Sequence, residues 1–196
     1  MVGAILTQSA AWVNVEKAIN NLKAAQALSP RALRRLSLSE LATLIRPCGY
    51  FNAKARKLKA LAGWLGHSFS DDLVKMSAIS LRKLRPQLLA VHGIGEETAD
   101  SIILYAANKP TFVIDAYTRR IIDRLGLAPH DHTYSAYQSL FMENLPRRTA
   151  FFNEYHALLV EHGKKVCRQR PLCPECCLKN ICLYGQEALK SAKILP

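Results

Sequence analysis

Leu88-Leu89-Ala90-Val91-His92-Gly93-Ile94-Gly95-Glu96-Glu97-Thr98-Ala99 is the stretch whose reading decides the fold. Two glycines flank one apolar residue, which permits a tight turn with positive φ, and Ile94 can anchor that turn between two helices. Because Gly93 and Gly95 carry no side chain, backbone N–H groups at the start of the second helix can come close to a phosphate oxygen. Such a grip on a nucleic-acid backbone is blind to base sequence. An ordinary interhelical turn is the plainer alternative, since a lone Gly-x-Gly is common.

Working outward, a helix is expected from Glu96 to about Ala107, followed by Asn108-Lys109-Pro110 and then Val113-Ile114-Asp115-Ala116-Tyr117-Thr118-Arg119-Arg120. The run Phe112-Val113-Ile114 ends at once in Asp115, and no alternating strand pattern competes elsewhere. Apolar residues recur at helical spacing, as in Val15, Ile19 and Leu22 or Leu58, Leu61 and Leu65, so the fold class is all-α, with about ten short helices. Helical periodicity pauses at Leu127-Ala128-Pro129-His130-Asp131-His132, and the chain turns basic and cysteine-rich after Gly163. Two segments are therefore expected, a helical domain over 1–163 and an appended cysteine loop and tail over 164–196. The chain opens on apolar helix, Met1 to Leu6, with no capping residue or first-turn acid, which predicts a preceding segment.

Of 196 residues, 49% are hydrophobic, enough for a real core, and 27 Lys and Arg against 15 Asp and Glu give a formal net charge of +12. That excess suits a polyanionic partner, because each neutralised phosphate releases condensed counterions. There is no basic segment before the first apolar run and no stretch long enough to span a bilayer, so a cytoplasmic protein without a membrane partner is expected. Cys167, Cys173, Cys176 and Cys182 form C-x5-C-x2-C-x5-C. Without an export signal this points to metal ligation rather than disulfides, and four thiolates can hold a 4Fe-4S cluster or a tetrahedral zinc. Cys177 is an extra thiol in the same segment, and Cys48 stands apart.

Taken in order, the Gly49-Tyr50-Phe51-Asn52-Ala53-Lys54-Ala55 segment, the hairpin, Asp115 and the cysteines resemble the endonuclease III branch of the helix-hairpin-helix (HhH-GPD) DNA glycosylases. The resemblance runs from Val2 to about Tyr184. Ile114 stands where the family usually has valine, and the loop between the first two cysteines is one residue shorter than the family's. The resemblance implies two helical lobes, one from about Lys17 to Ala128 and one from the N-terminal residues plus the C-terminal half, with double-stranded DNA and Asp115 at the cleft. It implies that Asp115 is the catalytic carboxylate, that the cysteines hold a 4Fe-4S cluster, and that the protein acts as a monomer close to the nucleoid. Asp115 also suits the N-cap of a helix beginning near Ala116, a compatible role. Bifunctional members carry a lysine just before the hairpin's Thr98-Ala99, where it forms an imine with the sugar. Here that residue is Glu97, which cannot do so, and a monofunctional enzyme is implied.

The resemblance nominates Gln8 as the filler of the gap left by a flipped base and Tyr50 or Phe51 as the wedge, with Lys54, Gly93, Gly95 and Thr98 among the DNA-binding residues. Gly3 to Gln8, Arg46 to Ala55 and His162-Gly163-Lys164 look closest to the alkylbase, or 3-methyladenine, members. Those enzymes place an aromatic ring four residues beyond the filler glutamine, here Trp12, and a Trp face suits a cationic purine. Lys164 is expected near that pocket. For Trp12, Tyr50 and Phe51 the alternative is core packing, and for Lys164 a solvated side chain. The cysteine motif is commoner among members acting on oxidised pyrimidines, which keeps an endonuclease III-type glycosylase with abasic-site cleavage as the second reading. A non-catalytic DNA-binding relative is the third.

Overall fold

The computed structural model describes residues 1–192, with side chains to Lys190; Lys193–Pro196, the end of the expected 164–196 segment, lie outside the described residues. Among the described residues there are twelve α-helices and no strand. Cα packing divides the chain between Lys109 and Pro110. That break differs from the expected one at 163/164, because the cysteine segment packs with the second unit. It differs also from the expected lobes, because the N-terminal helix packs into the first.

The first unit holds α1 (Val2–Leu6), α2 (Trp12–Ala24), α3 (Pro30–Arg35), α4 (Leu38–Leu44), α5 (Phe51–Phe69), α6 (Leu73–Ala78), α7 (Leu81–Leu89) and α8 (Glu96–Tyr105). Its axis is α5, whose Ala55, Leu58, Leu61, Ala62 and Leu65 fall on one face and are buried. Against that face pack α1, α3, α4 and α6. Ile5, Leu22, Leu58, Ile102 and Ile103 are wholly inaccessible, and burying each such side chain contributes about 1.5–3 kcal/mol. Short helices need defined starts: Ser37 opens α4 with a reciprocal capping box to Glu40, and Asp72 accepts from the Val74 and Lys75 amides to open α6.

The second unit holds α9 (Ala116–Leu125), α10 (Tyr134–Asn144), α11 (Thr149–Lys165) and α12 (Leu183–Ala192). Phe112, Val113 and Ile114 are buried yet form no strand. Side chains satisfy part of their backbone instead: Ile114 N–H donates to the Tyr134 hydroxyl at 3.3 Å, and Gln138 Nε2 donates to the Phe112 carbonyl at 2.7 Å. The Phe112 ring stacks on Phe141 with centroids 3.9 Å apart and meets Phe152 edge-on at 5.4 Å. Helices α9 and α11 cross at Gly163, where an added Cβ would lie 2.7 Å from Tyr117 Cβ. Only a residue without a side chain allows that approach.

No described helix is long and apolar enough to cross a membrane.

Candidate active site and nucleic-acid interface

In the first unit, the turn between α7 and α8 has the geometry its glycines permit. Gly93 has φ +78°, and Gly95 is an extended N-cap for α8 with no side chain to satisfy the helix's first amides. A Cβ added at Gly95 would meet nothing within 4 Å, so the front of this helix start is open. The turn is braced from behind. Asp100, fully buried, accepts from Arg85 Nε at 2.9 Å and Nη2 at 3.1 Å, and Arg85 also reaches Glu96 at 3.2 Å. The two carboxylates hold the Arg85 guanidinium above its ordinary pKa, and the pairing offsets one of the acids at the helix start. Glu97 is exposed.

Gln8 lies on this hairpin. Its Nε2 donates to the Gly93 carbonyl at 3.2 Å and to Thr98 Oγ1 at 2.9 Å, while Oε1 accepts from Lys57 Nζ at 2.5 Å. Thr98 is buried and faces Gln8, so its hydroxyl serves the hairpin. In the sequence Lys57, on α5, looks like one more solvated lysine in a Lys-rich helix, and nothing in the one-dimensional pattern distinguishes it.

Tyr50 is 75% exposed and caps α5 in the left-handed region, φ 45°, whereas Phe51 is partly buried on the core with the Arg46 guanidinium 6.0 Å from its ring. Of the two expected wedges, only Tyr50 projects. Trp12 is 49% exposed, so core packing does not account for it. Its indole N–H donates to Glu16 at 2.7 Å, and its ring lies across Gly3, 3.9 Å from where a Cβ would stand.

Lys54 departs from the expectation that it meets DNA. It is 2% exposed, and Nζ donates to the carbonyls of Leu6 at 2.9 Å and Cys48 at 2.8 Å. Burial pushes this ammonium below its ordinary pKa, with Cys48 acting in the opposite sense. The side chain points inward because two carbonyls at segment ends need a donor, and it thereby ties the end of α1, next to Gln8, to the turn that carries Tyr50. A cavity of about 380 Å³ in this unit is lined by apolar residues such as Leu28, Leu33, Leu61 and Met76, and by none of the expected site residues.

In the second unit, Asp115 is the N-cap of α9: Oδ1 accepts from the Thr118 amide at 2.7 Å. Its other oxygen, Oδ2, lies 3.7 Å from Nε2 of His156, and the Asp115 side chain is 14% exposed. Burial lowers the His156 pKa and the Asp115 charge opposes that shift, with burial the larger effect. The imidazole is therefore neutral at pH 7. His156 shares the buried face of α11 with Phe152 and Gly163; a histidine on an otherwise apolar stripe was the signal for it in the sequence. Lys164, next to buried Gly163, is exposed in the last turn of α11.

The far end of α9 grips the cysteine segment. Arg120 Nε donates to the Cys167 carbonyl at 2.8 Å, and Arg124 donates to Cys167 Sγ at 3.3 Å and to the carbonyls of Arg168 and Gln169 at 2.6 and 2.9 Å. Cys167, Cys173, Cys176 and Cys182 line one cavity together with Arg124 and Lys179. Backbone amides of Leu178 and Gly185 point at Cys176 and Cys182 Sγ, each at 3.4 Å. Burial pushes the Cys176 thiol up, the Leu178 amide opposes that shift, and the neighbouring cysteines add to it. Four cysteines on one cavity wall, amide donors to sulfur and flanking cations are the donor set that an anionic metal–thiolate group requires. Among the described residues no three His, Cys, Asp or Glu side chains close round a single ion. Cys177 is exposed and does not line the cavity.

Comparison with known proteins follows the same lines. The profile of the HhH-GPD superfamily of base excision DNA repair proteins matches residues 2–147. A putative DNA repair glycosylase of Methanocaldococcus jannaschii is 43% identical over 185 residues, covering 93% of this chain and 84% of its own length. An endonuclease III of Sulfolobus acidocaldarius is 31% identical over 169 residues, 84% of this chain and 71% of its own. Among solved structures, the 3-methyladenine DNA glycosylase of H. pylori bound to 1,N6-ethenoadenine matches with a TM-score of 0.75 at 28% identity, over 84% of this chain and 83% of that one. A non-covalent endonuclease III–DNA complex matches with a TM-score of 0.82 over 96% of this chain and 84% of that one; at 23% identity it speaks for the fold alone.

Proposed function

The chain belongs to the HhH-GPD superfamily of base excision DNA repair proteins, and from that premise we propose that it is a monofunctional DNA N-glycosylase acting, as a monomer on double-stranded DNA, on an alkylated purine such as 3-methyladenine. The observation that carries the chemistry is the Asp115 carboxylate. One oxygen is fixed by the Thr118 amide while Oδ2 stands by a neutral, buried imidazole, so the charge is oriented and partly withdrawn from water. As the C1′–N bond breaks, its electron pair leaves with the base and positive charge builds on the sugar, which a preorganised carboxylate stabilises. Water then adds to C1′ and Asp115 takes its proton. A cationic alkylated purine departs neutral and needs no acid from the protein.

The hairpin amides around Gly95 hold a backbone phosphate, Gln8 fills the vacated space, Tyr50 wedges the opposite strand, and the half-exposed face of Trp12 stacks on the cationic base. The similarity to the H. pylori 3-methyladenine enzyme supports this substrate class. Glu97 supports the absence of a lyase step, since a carboxylate forms no imine. The four cysteines would hold a 4Fe-4S cluster, which when bound cross-links the loop bearing Arg168, Arg170 and Lys179 so that these cations can meet phosphates. The endonuclease III relative favours a second reading, excision of oxidised pyrimidines with strand cleavage.

Single-turnover base release from duplexes carrying 3-methyladenine or an oxidised pyrimidine tests both. Asp115→Asn keeps an N-cap and should leave stability within about 0.5 kcal/mol, while base release falls about 10²- to 10⁴-fold. Release at the wild-type rate overturns the assignment of Asp115. A borohydride-trapped enzyme–DNA adduct forming as fast as base release overturns the monofunctional reading, and release of oxidised pyrimidines alone establishes the second.

A further inference from the structure

The strongest unassigned feature is the ammonium of Lys57. Its Nζ donates to Gln8 Oε1 at 2.5 Å, and its aliphatic stem lies over Gly93, so close that a Cβ there would stand 2.4 Å from Lys57 Cγ. Gln8 in turn spends both Nε2 protons on the hairpin, at the Gly93 carbonyl and Thr98 Oγ1. With both amide protons and one oxygen lone pair engaged, the glutamine is stowed on the hairpin, and it cannot enter a duplex without breaking these bonds. Of the three, only the one to Lys57 involves a formal charge, and a neutral amide oxygen is a weak partner for an ammonium beside a phosphate.

We propose that Lys57 is a positioning residue that couples hold on the DNA backbone to insertion of Gln8. A phosphate seated at the hairpin draws the ammonium from Gln8, which loses its charged restraint and becomes free to leave Gly93 and Thr98. Lys57 itself then neutralises that phosphate. In the absence of DNA the same lysine keeps Gln8 on the turn and its own stem over Gly93. The inference rests on the reading that Gln8 is the filler and adds a separate contact, Lys57 to phosphate, that can be measured alone.

The test uses the full-length protein and a duplex with a tetrahydrofuran abasic analogue and 2-aminopurine in the opposite strand, so no catalysis is needed. Affinity is measured from 50 to 200 mM salt, and insertion is followed by stopped-flow fluorescence. Lys57→Gln keeps a donor for Gln8 and removes only the charge. The log K against log salt slope should shrink by about 0.9, so that wild type loses about 3.5-fold more affinity than this variant over the range. The fluorescence step should persist with full amplitude. Lys57→Arg should restore the slope, and Gln8→Ala should keep it while losing the fluorescence step. A Lys57→Gln slope equal to wild type overturns the proposal, as does a reduced slope with the fluorescence step abolished, which would make Lys57 a prop for inserted Gln8. If Gln8→Ala keeps the step, the filler reading fails and the coupling with it, whereas the slope still reports the lysine contact.

Discussion

The two hairpin glycines look equivalent in the sequence but should respond in opposite ways to alanine. Gly93 has φ +78°, and its added Cβ would lie 2.4–2.6 Å from Cγ, Cδ and Cε of Lys57. The left-handed backbone costs about 1–2 kcal/mol for a residue with a side chain, and displacing the lysine stem forfeits a charged hydrogen bond worth about 1.5–3 kcal/mol. Discounted for partial exposure, Gly93→Ala should cost about 3 kcal/mol, lowering Tm by about 6–12 °C for a chain of this size. Gly95 has φ −90° and an open front. Gly95→Ala therefore costs only the poorer capping, about 0.5 kcal/mol, yet its methyl group occupies the space a phosphate needs. Duplex affinity should fall about tenfold, equivalent to 1.4 kcal/mol, with the melting temperature nearly unchanged. Thermal melting and fluorescence anisotropy on an undamaged duplex measure the two effects separately. The reasoning is refuted if Gly95→Ala is the more destabilising change, or if it binds duplex like wild type while Gly93→Ala melts normally.

His156 has a folded-state pKa below its ordinary value of about 6.5, so below that pH the unfolded chain binds a proton that the folded one refuses. Stability should fall on acidification through this window, with a slope approaching about 1.4 kcal/mol per pH unit, and His156→Gln should flatten it; equal slopes in the two proteins on urea titration at each pH would count against the buried neutral imidazole. Trp12→Ala should reduce release of 3-methyladenine by about 0.5–2 kcal/mol of transition-state binding and cost less stability than the about 3–5 kcal/mol of a buried Trp, because the ring is 49% exposed. Unchanged release in kinetics on that lesion would remove Trp12 from the pocket. Purified protein should be brown, and serine at Cys167, Cys173, Cys176 or Cys182 should bleach the visible absorption and loosen the loop held by Arg124, whereas Cys177→Ser should not; colourless protein with stoichiometric zinc on metal analysis would replace the cluster by the tetrahedral ion.

What was legible in the chain were features that a local pattern determines. Glycine spacing fixes a turn whatever surrounds it, and Asp115 before a helical run reads as an N-cap because the bond to Thr118 spans only three residues. The cysteines were legible for the same reason, as their spacing is short. The lysines of α5 show where this logic ends. Lys54 and Lys57 are one turn apart in a run that reads as a uniformly solvated face, yet one is buried on the carbonyls of Leu6 and Cys48 and the other reaches Gln8. What separates them is the location of unsatisfied carbonyls on segments up to 49 positions away, which no helical period encodes. The break at Lys109/Pro110 was hidden similarly, because Phe112 to Ile114 are held by side chains of Tyr134 and Gln138 and not by a ladder that a strand pattern would announce. Long-range polar accounting decided these positions, so the residues least visible in the sequence are the ones that set how the visible ones work: Lys57 bonds Gln8 on the hairpin, and Lys54 ties the Tyr50 turn to α1.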